Sequence, residues 1–335
     1  MRWTIVTTIG KNPGDEFIRM GVERLIAVND KEAEITLVDK ENMGDMEKAA
    51  TGFDKCIWAG MPVFWSFSAV GTHNFTIQWW KHMVGKFSER KQDFMVMGAG
   101  SFQRMTNIWE GVRVLDYVNA MQQLVDRSYA VTLRDDVPNI IAAYEGSSLH
   151  LPVYPCPAVF AVFAGSGPFT SYGIPRIANV MLDGSHYAVF DKQEAATWRS
   201  KCGSVIDIMD RAGFVFVVHS ATEADEVRRH GGHVVHTYTG NPTKTVRFYR
   251  GVEKFFGNRI HGAIVSRSQG ADTLCCGYDS RLRAVEVTGG RIVTPSTLNL
   301  DELCKWASAP PEDKPFDMAF EFDRQSELVN AFMQA

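Results

Sequence analysis

The chain has 335 residues, a net charge of −4 and 22% charged residues spread along its length. That balance argues against a broad basic footprint for nucleic acid or an anionic membrane surface, while leaving room for a local basic cleft. The length predicts two domains, and a 45% hydrophobic share supplies ordinary cores for them.

The N-terminus, Met1-Arg2-Trp3-Thr4-Ile5-Val6, runs straight into a strand-like segment and lacks the regions of a signal peptide. No apolar run reaches the ~18 residues of a membrane helix. A cytoplasmic location is therefore expected. Ile5–Thr8 reads as a strand, Asp15–Ala27 as a helix, Ile35–Val38 and Cys56–Ala59 as strands, and His73–Glu89 as a helix. Phe94–Met97 is a strand ending in Gly98-Ala99-Gly100, followed by a helix over Val112–Arg127 and a strand over Tyr129–Leu133. Short apolar strands between helices indicate a parallel sheet covered on both faces.

From about Leu149 to Pro175 the chain carries Pro152, Pro155, Pro157, Pro168 and Pro175, which interrupt regular structure. This reads as the interdomain connection. Alternation then resumes: strand His186–Phe190, helix Glu194–Ala212, strand Phe214–Val218, helix Ala221–Arg229 and strand Val234–Tyr238. A helix over Thr243–Phe256, a further helix from Ala263, the strand Thr273–Cys276 and a terminal helix near Phe322–Met333 complete the pattern. The predicted division is an N-terminal domain over 1–165 on the acceptor side and a C-terminal domain over 166–320 on the donor side. The helix in 321–335 is expected to pack back on the body. Ligands of such sheets gather at the carboxyl ends of strands. The six cysteines, Cys56, Cys156, Cys202, Cys275, Cys276 and Cys304, form no C-x-x-C pair and predict reduced thiols.

Four segments could carry chemistry. The first is Lys11-Asn12-Pro13-Gly14-Asp15-Glu16, where Asn12 and Gly14 suit a tight turn and Asp15 a helix cap. Free amides there could instead meet an anion. The segment is neither a Walker loop nor G-x-G-x-x-G. The second is Gly98-Ala99-Gly100-Ser101, where glycine permits close backbone approach or simply a turn. The third is Leu133-Arg134-Asp135-Asp136. Arg134 at the end of a buried strand could hold a carboxylate or phosphate. It could equally form a surface pair with Asp135, with Asp135 or Asp136 capping the next helix.

The fourth segment is Asn258-Arg259-Ile260-His261-Gly262-Ala263. In an extended piece Arg259 and His261 point the same way, offering one cation and one titratable imidazole to the same space. Gly262 and Ala263 let a helix start close to that space. His230, His233 and His236 are interrupted by Gly231-Gly232 and do not predict zinc, and no metal site is expected. Trp58, Trp79 and Trp80 read as core or helix-face residues.

Taken in order, these segments resemble the polysaccharide pyruvyltransferase family. The matching elements are Asn12-Pro13-Gly14-Asp15-Glu16, Ile57-Trp58-Ala59-Gly60, Gly98-Ala99-Gly100, Leu133-Arg134-Asp135 and Asn258 to Ala263, followed by Gly270 and Gly277-Tyr278-Asp279-Ser280-Arg281. Met61 and Cys156 depart from the family pattern, which has a second glycine and an Asp-Pro there. The resemblance implies an α/β, GT-B-like fold: two Rossmann-like domains with parallel sheets facing across a cleft. It implies transfer of a pyruvyl group from phosphoenolpyruvate to hydroxyls of a sugar or glycan precursor. It further implies His261 as acid or base with Arg259, and Arg134, Asn258, Gly262 and Arg281 at the anionic donor. Asn12, Gly14, Asp15, Gly60, Gly98 and Gly100 would form the cleft loops. No cofactor is expected beyond the donor. The same fold with a sugar-nucleotide donor would be a glycosyltransferase acting on a glycan or a hydroxylated nucleobase, which keeps nucleic acid open as an acceptor. A third reading is a ligand-binding protein without catalysis.

Overall fold

The computed structural model describes residues 1–10, 12–60, 62–65, 86–109, 114–144, 146–163, 171–185, 191–312 and 315–335. The first half alternates β1 (Arg2–Thr7), α1 (Pro13–Asn29), β2 (Glu34–Asp39), α2 (Met43–Ala49), β3 (Lys55–Ala59), β4 (Pro62–Trp65), β5 (Phe94–Phe102), α3 (Val114–Arg127), β6 (Val131–Leu133) and α4 (Val137–Tyr144). Its sheet runs β2-β1-β3-β5, with β6 on β5 and β4 alongside the far end of β5. Every pairing is parallel. β3 and β5 are buried along their whole length, which is why they read as continuous apolar runs rather than alternating ones.

The second half comprises β7 (Arg176–Asn179), α5 (Lys192–Arg211), β8 (Val215–Val218), α6 (Ala221–Arg229), β9 (Val234–Thr237), α7 (Pro242–Tyr249), β10 (Lys254–Gly257), α8 (Ile260–Arg267), β11 (Asp272–Cys276), α9 (Arg283–Val287), β12 (Arg291–Val293), α10 (Leu300–Ser308) and α11 (Met318–Gln334). Its strand order is β12-β11-β10-β7-β8-β9. The order reverses between β7 and β10, so the loops leaving those two strands diverge and open a crevice. In the first sheet the equivalent gap lies between β1 and β3. The two parallel-sheet α/β domains form a GT-B-like fold.

The domains share packing. Helix α1 lies on a buried 3-10 turn at Pro157–Phe163, so closely that a side chain at Gly21 would collide with the Pro157 carbonyl. Helix α11 lies against the first domain. Phe332 meets Trp3 and Tyr129 at ring separations of 6.0 and 5.3 Å, and Phe322 meets Phe160 edge-on at 5.2 Å. Gln325 donates to the Pro155 carbonyl at 2.9 Å.

Three expectations are corrected. The helix predicted over Thr243–Phe256 ends at Tyr249, and Lys254–Gly257 is the strand β10. The proline-rich connection is not loose: Leu133 donates to the Pro152 carbonyl and accepts from the Tyr154 amide, and residues 157–162 are buried. It is followed at once by β7, which the sequence reading left out. The predicted strand His186–Phe190 and the predicted helix over His73–Glu89, apart from its last residues, lie outside the described residues, as do Trp79, Trp80 and Met61.

Candidate functional site

The first wall of the site is the start of α1. Asn12, not Asp15, is its cap: the Asn12 side chain accepts from the Gly14 amide at 3.0 Å, with Pro13 in the first helical position. Asp15 and Glu16 fall in the first turn, where negative charge suits the helix dipole. Glu16 is committed elsewhere, accepting from Gly10 N at 2.7 Å and Arg19 Nε at 2.6 Å. Gly14 faces His261: a Cβ built there would fall 2.3 Å from His261 Nδ1. The glycine therefore makes the space the imidazole occupies.

The second wall begins where β10 ends. A side chain at Gly257 would collide with Asn179. Asn258 is buried and ties the crevice together, donating to Cys276 O at 2.8 Å and accepting from Met181 N at 3.3 Å. Arg259 caps α8 with extended backbone, and the helix begins at Ile260. Arg259 and His261 thus do not share a face of an extended run, as the sequence suggested, because a helix starts between them. Both still line one cleft. The Arg259 guanidinium pairs with Glu223, and its amide donates to Asn179 Oδ1 at 3.1 Å. The Arg259 side chain makes no capping bond to the amides of α8. Gly262 serves packing: a Cβ there would collide with Asn179 and crowd Phe255 and Tyr249.

Arg134 leaves the end of β6 and is only 2% exposed. Its Nη1 donates to Gly60 O at 3.1 Å and lies 3.5 Å from His261 Nε2. A side chain at Gly100 would occupy the space of its Nε, which has no partner among the described residues. Among the described residues no carboxylate forms an ion pair with it. Cys156 sits beside it, a buried thiol pushed up by burial. The surface pair with Asp135 is not formed. Asp135 is itself buried and accepts from Ser101 N at 2.9 Å, Ser101 Oγ at 2.8 Å and Val137 N at 3.3 Å. Burial raises its carboxyl above the usual range despite those bonds. Asp136 instead pairs with Arg283 of the other domain. Gly60 and Gly98 turn the chain with φ of 59° and 68°.

Arg281 pairs with Asp279 through Nε and Nη2 at 2.7 and 2.8 Å and lies over the Phe102 ring. Burial pushes the Asp279 carboxyl up, but Arg281 outweighs it and leaves it below the usual range.

Together Asn12, Gly14, Asp15, Arg134, Asn258, Arg259, His261 and Arg281 line a cleft between the domains. Gly60, Gly98, Gly100 and Gly262 shape its supports rather than its surface. Sequence reasoning missed Lys40, Met181, Ser185, His219 and Ile260, which also line it. Lys40 follows β2 and His219 follows β8, so attention to the first residue past each strand would have found them. Asp15 is the one carboxylate among the described lining residues. Burial pushes its carboxyl up, yet the charges of Lys40, His261 and Arg134 help hold it below the usual range. Arginines and a lysine on both walls make the cleft suited to an anion, with an imidazole at its centre.

Among the described residues no group of His, Cys, Asp and Glu is arranged to hold a metal ion. His230 meets Glu226 and His236 meets Thr245. No described helix is long and apolar enough to cross a membrane.

No family model matches the chain, and no curated protein matches it in sequence. Solved structures share its fold. A Listeria monocytogenes protein assigned as a UDP-N-acetylglucosamine 2-epimerase aligns with a TM-score of 0.55 at 11% identity, covering 99% of this chain and 96% of that one. A co-structure of S. aureus MnaA with UDP gives 0.56 at 9% identity, with 99% and 96% covered. The Methanocaldococcus jannaschii UDP-GlcNAc 2-epimerase, in complex with UDP-GlcNAc and UDP, gives 0.51 at 10% identity, with 99% and 100% covered. None of the three is described as a pyruvyltransferase. At such identity the likeness shows the GT-B-like fold over the whole chain.

Proposed function

We propose that the protein is an enzyme that takes a sugar nucleotide and transfers its sugar to a hydroxyl of a glycan or a hydroxylated nucleobase. The observation that carries this reading is Arg134. It is a buried guanidinium with no carboxylate in ion pair among the described residues, beside His261 in an interdomain cleft that the start of α8 also lines. Asp15 and Asp135 reach this buried cation by charge but not as ion pairs, so an anionic ligand paired with it would still be favoured. Helix amides and arginines from both walls suit a diphosphate. His261 takes the proton of the acceptor hydroxyl as the nucleoside diphosphate leaves. The bound UDP and UDP-GlcNAc in structures of the same fold support this donor class.

The test is a donor panel of UDP-, dTDP- and GDP-sugars, with release of the nucleotide measured. Binding of the free nucleoside diphosphates by calorimetry accompanies it. Arg134→Met should weaken that binding at least ~10-fold, the loss of one charge-assisted contact. If no nucleotide is bound or released, the reading fails.

The Arg134–His261 contact also favours a second reading, pyruvyl transfer from phosphoenolpyruvate, because those are residues the family resemblance assigns to that donor. Release of inorganic phosphate from phosphoenolpyruvate, in place of nucleotide, identifies it. For either transfer His261→Ala should lower turnover by ~10² or more. A variant that keeps the protein's function would point to binding without catalysis.

A further inference from the structure

The two domains also meet where the end of β5 passes the turn after β11. The Met105 amide donates to the Tyr278 carbonyl at 2.9 Å and the Ser280 amide to the Gln103 carbonyl at 2.8 Å, around an antiparallel bridge between Arg104 and Asp279. Beside the bridge runs a chain of buried side chains. Ser101 Oγ donates to Asp135 Oδ1 at 2.8 Å and lies 2.7 Å from Ser280 Oγ, which accepts from the Gln103 amide at 2.9 Å. A hydroxyl has one proton. Ser101 gives its proton to Asp135, so Ser280 donates across the domain boundary to Ser101. Ser101, Asp135 and Ser280 are each 0% exposed.

Apolar side chains would fill such a seam with no polar group left to satisfy. The hydrogen-bonded chain differs from them in having a fixed length and direction. Its two ends adjoin cleft arginines. Arg134 precedes Asp135 and Arg281 follows Ser280, and both arginines line the cleft, one from each domain. Each arginine Cα is thus one peptide, ~3.8 Å, from the Cα of an end residue. Arg281 is steadied further by Asp279, which takes Nε and Nη2 and leaves the rest of the guanidinium to the cleft.

We propose that Ser280 is a positioning residue: bonded to Ser101, and through it to Asp135, it fixes the separation of Arg134 and Arg281, and that separation selects an anion with two charged centres over a single phosphate. This rests on the reading above for the anion being the diphosphate of a sugar nucleotide, but not for the spacing itself. A serine that only packs the seam predicts a change in stability and none in selectivity.

The experiment is calorimetric titration of the full chain with pyrophosphate and with inorganic phosphate. The unaltered protein should bind pyrophosphate at least ~10-fold more tightly, the effect of a second charge-assisted contact. Ser280→Ala should bring the two affinities close together by weakening pyrophosphate, with phosphate held. In turnover the loss should appear in the KM of the donor more than in kcat. If the alanine variant does not fold, Ser280→Cys, a poorer donor of similar shape, is read in the same way. An alanine variant with an unchanged ratio, or with equal loss for both anions, overturns the inference. So does an unaltered protein with no preference for pyrophosphate. Should the ratio behave as expected while no nucleotide is bound or released, the transfer reading fails and the positioning role stands.

Discussion

Replacing Gly14 by alanine separates stability from chemistry at one atom. The new Cβ would fall 2.3 Å from His261 Nδ1 and 3.0 Å from its Cγ, where ordinary contact begins near 3.4 Å. The ring must therefore withdraw by about 1 Å, since the helix backbone beneath the methyl is held by the Asn12 cap. A displacement of that size at a reacting group costs roughly 10²-fold in rate, or about 2.7 kcal/mol of barrier. The helix itself gains, because alanine is favoured over glycine inside a helix by up to ~1 kcal/mol. Expected is a variant whose urea midpoint is unchanged or higher, whose nucleotide release falls about a hundredfold, and whose Arg134–His261 contact is altered in a ring-nitrogen NMR spectrum. Alanine at this position with normal turnover would refute the placement of His261 as the proton carrier.

Other outcomes follow from the same geometry. Arg281→Met strands Asp279, a carboxyl 2% exposed, and should cost about 3 kcal/mol in urea unfolding, as for one partner removed from a buried pair. The sign with pH is fixed by the depressed Asp279 carboxyl. Its contribution is present above the unfolded carboxylate value near ~3.9 and is lost as pH falls through the folded value. The gap between the two proteins should therefore narrow below about pH 4. By contrast Arg134→Met leaves no paired carboxylate behind and should change unfolding by less than ~1 kcal/mol while removing anion affinity; strong destabilisation would point to a structural role. Cys304 is the exposed thiol of six, and the other five are buried, so a thiol reagent should label one site rapidly in the folded chain. A second fast site would contradict that packing.

The sheets were largely legible because their strands are buried on both faces and announce themselves as apolar runs. Where burial takes another form, the reading fails. β7 is Arg-Ile-Ala-Asn, with two apolar residues in four, and it follows a proline cluster that looked like linker. β10 carries Lys254, a fully buried lysine whose ammonium is held by the Trp306, Ala309 and Pro310 carbonyls, so its run resembled the tail of a helix. Gly251, with φ of 76°, is the stop that separates α7 from it. At the site, Arg134, Arg259 and His261 stood out because each lies in a run of distinctive residue types. Lys40 and His219 did not, since a single polar residue after a strand carries no pattern of its own. Only the strand order brings them to the same cleft.

The return of α11 to the first domain bears on how the molecule is made. Phe332 closes over Trp3, and the Lys55 ammonium lies 5.0 Å from the Phe332 ring centroid. A ribosome delivers these partners far apart: the helix that covers β1 arrives more than 300 residues after it. Until then the apolar flank of the first sheet stays in water. The N-terminal sheet thus gains its last covering element only after the whole second sheet has been made.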